Sequence, residues 1–238
     1  MSINEILGKT SHRPFPLPGG SWSYYQEWHS VLFAHWMVPS ITVKKLIPAG
    51  LDPDLYNGEG WVSLVGFRVK EMHPNHLPAF PPFSDFYEIN MRTYVKRNEH
   101  PGIYFLSLEA QKAASAFLGR TFTGLNYLKS DISYSKNSVQ SDNLTYGYRL
   151  KIGYVPGMCK GTKTMLDKWL TDRYTMFHEL KGGIYGHNIH HVDWPLRAVR
   201  MEEFEIFYNF NYLIVDSPAV LYHYSDGVQV PTWRKIRT

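Results

Sequence analysis

One cysteine, Cys159, is all the chain carries in 238 residues. No internal disulfide can form and no cysteine pair can grip zinc. Disulfide scaffolds and zinc ribbons are excluded, and a reducing, cytoplasmic setting is expected. Long apolar runs are missing too. Ser30–Val38 and Tyr212–Val215 are interrupted well short of the roughly 18 residues of a membrane-spanning helix. Residues 1–20 hold no apolar core of a secretory leader, so export is not expected. Charge of one sign is scarce: 25 Lys and Arg oppose 21 Asp and Glu, a formal net of +4. That is too thin for the basic stripe of a nucleic-acid binder. No G-x-S-x-G elbow, P-loop or G-x-G-x-x-G fingerprint is present, which removes serine hydrolases, P-loop enzymes and dinucleotide-binding folds. His178-Glu179 opens like a zincin helix, but Gly182 stands where the second histidine is needed.

Rings are abundant instead. Aromatic residues make up 16% of the chain, with 17 tyrosines, and rings with polar tips suit an apolar cavity that can still hydrogen-bond. The length fits one domain, 1–238, with a sizeable core.

The hydrophobic patterning is mostly that of strands. Trp61–Lys70 reads as a buried strand, while Trp22–Val38 leans the same way although its apolar positions fit neither period cleanly. Tyr87–Val95 and Ile103–Ala110 form an antiparallel hairpin around Pro101-Gly102. Further strands are expected at 121–134, 144–155, 184–189, 197–208 and 219–224, with an exposed loop between the first two. Four prolines make His73–Phe83 an ordered loop or flap. Short helices are expected at 41–47 and 111–118, and a longer one from the Thr164 cap through Leu166, Trp169, Leu170, Tyr174 and Phe177 to Gly182-Gly183. Strands outnumber helices without alternating with them. The fold class is therefore mainly β (α+β), antiparallel and barrel-like.

One strand carries chemistry. In Glu88–Val95, period two places Glu88, Asn90, Arg92 and Tyr94 on one face and Ile89, Met91, Thr93 and Val95 on the other. Two readings are open. The row faces solvent as spaced charges, or it lines a cavity in which Arg92 holds a carboxylate or phosphate and Glu88 is a general acid or base. His187, His191 and Asp193 resemble an iron triad in residue type, but i and i+4 on a strand lie about 13 Å apart. No metal or other cofactor is expected there, nor at His73 and His76.

Phe33-Ala34-His35-Trp36, Glu88-Ile89-Asn90, Arg92-Thr93-Tyr94-Val95, Phe105-Leu106-Ser107-Leu108, Leu125-Asn126-Tyr127, Arg173-Tyr174, His191 with Trp194-Pro195-Leu196, and Ser225 with Gly227-Val228 together resemble the uncharacterised bacterial YqjF-like family. That family belongs to the acetoacetate decarboxylase-like superfamily. The resemblance implies a closed antiparallel β-barrel with a few outer helices and a central cavity, and it makes Glu88 the counterpart of an active-site glutamate. The superfamily's decarboxylase forms a Schiff base through a desolvated lysine, in a Gly-Arg-Glu segment followed by Pro-Lys-Lys. Gly119-Arg120 match the start of that segment, which places Arg120 among the binding residues. Thr121 then replaces the glutamate, and Asn126-Tyr127-Leu128 fall on Pro-Lys-Lys, so Tyr127 stands in place of the lysine.

Lys129, two positions on, shares a face with Tyr127 if the segment is extended. The function expected is a central pocket for a small anionic or carbonyl-bearing molecule, with Glu88 and Lys129 as catalytic candidates and Asn90, Arg92, Tyr94, Arg120 and Tyr127 as ligand-binding ones. The alternatives are a non-catalytic ligand-binding module and a lyase acting through Lys129. Exposed rings on a barrel wall make a homo-oligomer unsurprising.

Overall fold

The computed structural model describes residues 1–112 and 124–238, leaving aside the side chains of Pro82 and Phe83. The expected helix at 111–118, the start of the expected strand at 121–134, and Arg120 therefore lie outside the described residues. Among the described residues the helices are α1 (Ile3–Gly8), α2 (Ser40–Leu46), α3 (Pro81–Ser84) and α4 (Met165–Thr171), and the strands belong to one large sheet. Its strands are β1 (Tyr24–Val38), β2 (Asp52–Pro53), β3 (Gly60–Pro74), β4 (Phe86–Arg97), β5 (His100–Ala110), β6 (Leu128–Lys129), β7 (Asp131–Tyr134), β8 (Ser138–Asn143), β9 (Tyr148–Cys159), β10 (Thr175–Leu180), β11 (Gly183–Asn188), β12 (Leu196–Asn209), β13 (Ile214–Val215), β14 (Leu221–Thr232) and β15 (Ile236–Arg237). No helix among the described residues is long and apolar enough to cross a membrane.

The hydrogen-bonded order runs β15-β11-β10-β5-β4-β3-β1-β14-β12-β9-β8-β7 and does not return from β7 to β15. The expected closed barrel is thus corrected to an open, strongly curled sheet. Side chains bring the β7 end back over the middle of the sheet. Tyr134 stacks on Tyr87 with centroids 5.1 Å apart and donates to the Ser30 carbonyl at 3.4 Å. A Cβ on Gly66 would sit 3.2 Å from the Tyr134 hydroxyl. β7 thus meets the middle strands through side chains, while its ladder partner is β8.

Period two sorts the long strands onto two faces. Leu32, Ala34, Val62, Leu64, Ile89 and Met91 pack into the main core, which β8, β9 and β12 complete. Val31, Phe33, Val65, Phe67 and Val69 build a second cluster on the opposite face. In β1 the two faces exchange parity at a bulge. Between His29 and Leu32 the pairing with β3 gains one residue, Ser30 adopts φ +52°, and Gly227 lies opposite His29 on β14. A Cβ on Gly227 would be 2.1 Å from the Trp28 carbonyl oxygen, and its φ is +144°, so only glycine fits.

Two other expectations are corrected. The helix capped by Thr164 ends at Thr171, and the residues from Thr175 onward join the sheet as β10, parallel to β5 and antiparallel to β11. Tyr174 and Phe177 are buried as the helical spacing requires, but the sheet takes that segment and overrides the local pattern. Part of the expected exposed loop is the strand β8, paired on both sides by β7 and β9.

Candidate functional site

The second cluster does not close on itself. It walls a cavity of about 340 Å³, within the range of small-molecule sites. Trp28, Val31 and Phe33 of β1, Val65 and Phe67 of β3, Ile103 and Phe105 of β5, and Trp194 supply apolar walls. The bulge lets both Trp28 and the pair Val31 and Phe33 face inward. The end of β3 and the proline-rich segment that follows it cover one side, with Met72, His73 and Pro74 from the strand and Pro78 and Phe80 beyond it, and His187, Ile189 and His191 close another.

Into this apolar space β4 projects Glu88, Asn90 and Arg92, all buried. Pairing with β3 on one side and β5 on the other fixes them. Glu88 accepts two hydrogen bonds: Oε1 from Asn90 Nδ2 at 3.2 Å and Oε2 from the Tyr127 hydroxyl at 3.1 Å. Burial pushes its carboxyl up to about 7 against the pull of those two donors. The Tyr127 phenol moves up as well, through burial and the neighbouring Glu88. The Asn90 Oδ1 acceptor has no partner among the described residues.

Arg92 is a buried cation without a carboxylate partner among the described residues. Its Nη2 donates to the Leu170 carbonyl at 3.4 Å, its Nε has no partner among the described residues, and its guanidinium lies 5.7 Å from the centre of the Phe33 ring. Burial and nearby Arg173 lower its pKa. Arg173 also lines the cavity, but the Asp54 carboxylate neutralises it and its Nε donates to the Trp169 carbonyl at 2.6 Å. His191 is held neutral, its pKa pushed down to about 3 by burial. Among the described residues the site therefore offers one uncompensated cation, one carboxyl that changes charge near neutrality, and an amide between them. On a strand, Glu88 and Arg92 stand about 13 Å apart at Cα.

Four of the residues singled out from sequence, Glu88, Asn90, Arg92 and Tyr127, meet in this cavity. Tyr94 does not. It is wholly buried one layer beyond, hydrogen-bonded to Ser63 at 2.7 Å and to the Leu170 carbonyl at 3.0 Å. Lys129 is exposed and outside the lining. A local turn from Leu125 to Tyr127 precedes the short β6, so the extended alternation that would align Lys129 with Tyr127 does not hold. No lysine lines the cavity among the described residues, and residues 113–123 contain none. Asp193, from the weighed iron triad, faces outward and pairs with Lys163.

Residue-level reasoning did not assign cavity roles to Arg173, Trp28 or Met72. Arg173 follows a helix end that the sequence pattern hides, and Trp28 is masked by the bulge.

Comparison with known proteins gives this geometry a context. Among solved structures, the enduracididine biosynthesis enzyme MppR complexed with the condensation product of pyruvate and imidazole 4-carboxaldehyde superposes with TM-score 0.64 at 10% identity, covering 92% of this chain and 90% of that one. An acetoacetate decarboxylase-like enzyme from Sphingomonas wittichii RW1 gives TM-score 0.59 at 13% identity, covering 95% and 98%. At such identities the likeness is one of fold, and the fold is acetoacetate decarboxylase-like. The protein YqjF of Bacillus subtilis (strain 168), itself described as uncharacterized, is 33% identical over 193 residues, 78% of this chain and 80% of its own length. The model of the DUF2071 family, an uncharacterized conserved protein, matches residues 25–229. With that match spanning both cavity walls, the chain belongs to the DUF2071 family.

Proposed function

We propose that the cavity binds a small organic acid carrying a carbonyl group and that Glu88 moves a proton on it. One observation carries the reading: a single face of β4 holds an unpaired buried cation, Arg92, and a carboxyl near neutral pKa, Glu88, with no ion pair joining them. A buried arginine without a carboxylate is costly, and a ligand carboxylate relieves that cost through charge-assisted hydrogen bonds. Apolar walls take the ligand body, and Asn90 Oδ1 accepts from a polar group midway. Glu88, with both protonation states populated at neutral pH, suits general acid-base work.

An acetoacetate decarboxylase-like fold, with MppR described as complexed with pyruvate, supports a 2-oxo acid as the first probe. Tyr127 at the matched lysine position argues for proton transfer without a Schiff base. The test is melting-temperature shifts with pyruvate, 2-oxobutanoate and benzoate, alongside deuterium exchange at the carbon next to the pyruvate carbonyl in D2O. Wild type should shift and exchange. Arg92→Met should lose the shift, whereas Glu88→Gln should keep the shift and lose the exchange. Shifts that are equal in all three proteins, or absent in all three, overturn the reading. Binding without exchange in wild type identifies a non-catalytic module.

A further inference from the structure

Behind Arg92 an unbroken line of side chains leads out of the cavity wall toward the surface. Leu170, whose carbonyl receives Arg92 Nη2, also receives the Tyr94 hydroxyl at 3.0 Å. Tyr94 meets Ser63 Oγ at 2.7 Å, Ser63 meets His35 Nδ1 at 2.6 Å, and His35 Nε2 meets His223 Nδ1 at 3.0 Å. His223 Nε2 ends on Asp167 Oδ1 at 2.7 Å, and Asp167 Oδ2 pairs with Lys160, which reaches solvent. His35, Ser63, Tyr94 and His223 are wholly buried. They come from three neighbouring strands and the strand beyond, with α4 supplying both ends through Asp167 and Leu170.

Donor and acceptor counting allows this line two complete arrangements. Asp167 is held ionised by Lys160, the Thr164 amide and His223, so His223 must keep a hydrogen on Nε2. With His223 neutral, its Nδ1 accepts from His35 Nε2–H, His35 Nδ1 accepts from Ser63, and Ser63 accepts from Tyr94. The Tyr94 hydrogen then points away from Leu170, whose carbonyl is left to Arg92. With one more proton, each bridging hydrogen sits one partner along. His223 carries both hydrogens, donating from Nδ1 to His35 Nε2, His35 donates from Nδ1 to Ser63, Ser63 donates to Tyr94, and Tyr94 donates to Leu170. The balance is one proton taken from solvent, and its charge rests on His223 beside Asp167.

We infer that this line is a proton relay that couples occupancy of Arg92 by an anion to protonation of His223, making His35, Ser63 and His223 positioning residues for the anion site. The inference rests on the reading of Arg92 as an anion anchor. In the protonated arrangement Tyr94 shares the two-lone-pair Leu170 carbonyl with Arg92, which weakens the already long 3.4 Å guanidinium contact and favours its turn toward a ligand. An anion on Arg92 removes a positive charge that opposes a proton on His35, and so favours adding one to the hydrogen-bonded pair that His35 forms with His223. Both effects have the same sign, and linkage makes them reciprocal: anion binding raises proton affinity and acid tightens anion binding.

The charges facing His223 are Asp167, which favours its protonation, and Lys160 and Lys163, which oppose it. Those facing His35 are His223, Arg92 and Asp167. Arg173 faces Arg92 and lies over the Tyr94 ring. Burial keeps both imidazoles neutral in the empty protein.

The test uses the full chain carrying Glu88→Gln, which silences the cavity's own titrating carboxyl, with benzoate as probe and 15N shifts of the histidine rings as readout. Without benzoate at pH 7, His35 and His223 should each carry hydrogen on Nε2 alone. Across a pH titration, saturating benzoate should raise the His223 midpoint by roughly one pH unit, a tenfold coupling, and below that midpoint the His35 hydrogen should sit on Nδ1. Ser63→Ala should bind benzoate while His223 no longer responds. Saturation with an unchanged His223 midpoint overturns the relay, as does a Ser63→Ala response equal to that of the parent. Failure of benzoate to bind at all overturns the anion reading of Arg92 and the coupling with it, whereas an intact shift on Arg92 with silent histidines overturns the relay alone.

Discussion

Tyr127 donates its phenolic hydrogen to Oε2 of Glu88 at 3.1 Å, from the position where the superfamily resemblance would place a Schiff-base lysine. A neutral partner at this point decides what the carboxyl can do. A lysine there would hold Glu88 ionised by its charge, whereas a neutral phenol leaves the pKa to burial, which takes it to about 7.

Removing that hydroxyl has a predictable effect. In Tyr127→Phe the ionised carboxylate loses a charge-assisted hydrogen bond worth about 1.5–3 kcal/mol, so the Glu88 midpoint should rise by roughly one to two pH units. Infrared or NMR titration of the carboxyl reads this directly. A midpoint that stays put or falls would mean the phenol does not stabilise the ionised form.

Glu88 also sets a slope in stability. Its folded pKa lies above the unfolded value of 4.5, so ionisation is harder in the native protein. The resulting penalty is absent below about pH 4.5, grows as pH rises to 7, and levels off near 3 kcal/mol above that. The stability at pH 8 relative to pH 5, read from urea midpoints, should therefore be higher in Glu88→Gln than in wild type. Equal differences would place no strain on this carboxyl.

The histidines act at the other end of the scale. His191, wholly buried and pushed down to about 3, is protonated in the unfolded chain below pH 6.5 but not in the folded one. The stability it secures is complete above pH 6.5 and drains away as pH falls toward 3. His191→Gln should shift the acid-unfolding midpoint to lower pH, as followed by tryptophan fluorescence. A shift to higher pH would count against this account.

Arg92→Met trades the cation for a flexible apolar chain in an apolar wall. With no carboxylate partner to strand, the exchange should raise stability by about 1–3 kcal/mol, while thermal shifts with carboxylates vanish. Denaturant melts of the two proteins check the first half, and a large destabilisation would show that Arg92 has a structural partner.

Much of this was legible before any coordinates. The alternation Glu88, Asn90, Arg92 needs only period two, and the strand keeps it. The sequence left open whether that face looked at water or inward, because the answer lies in residues far along the chain, Trp194 and His191, that cover it. Tyr94 kept the alternation too, yet α4 caps it, and α4 ends sooner than its apolar spacing suggests. The poor periodicity of Trp22–Val38 had a physical cause, the bulge at Ser30, which single-strand patterning cannot represent. Closure of the barrel was illegible for a similar reason: whether the edge strands β7 and β15 meet is decided by the curl of the whole sheet, which no single strand's pattern encodes.

The Gly227 position offers a sharper check of the bulge. Gly227→Ala would press a methyl carbon against the Trp28 carbonyl, and a cost above about 3 kcal/mol is expected. A near-neutral melting temperature would mean that the two strands part easily there.

The extra residue at Ser30 reaches further than local geometry. Deleting one amino acid there would flip the inner half of β1, turning Leu32 and Ala34 toward the ligand chamber and Val31 and Phe33 toward the main core. Relatives that gained or lost a single codon at this point would therefore present a differently upholstered chamber on an unchanged scaffold, a route to new ligand preferences that leaves the acidic and basic groups of β4 untouched.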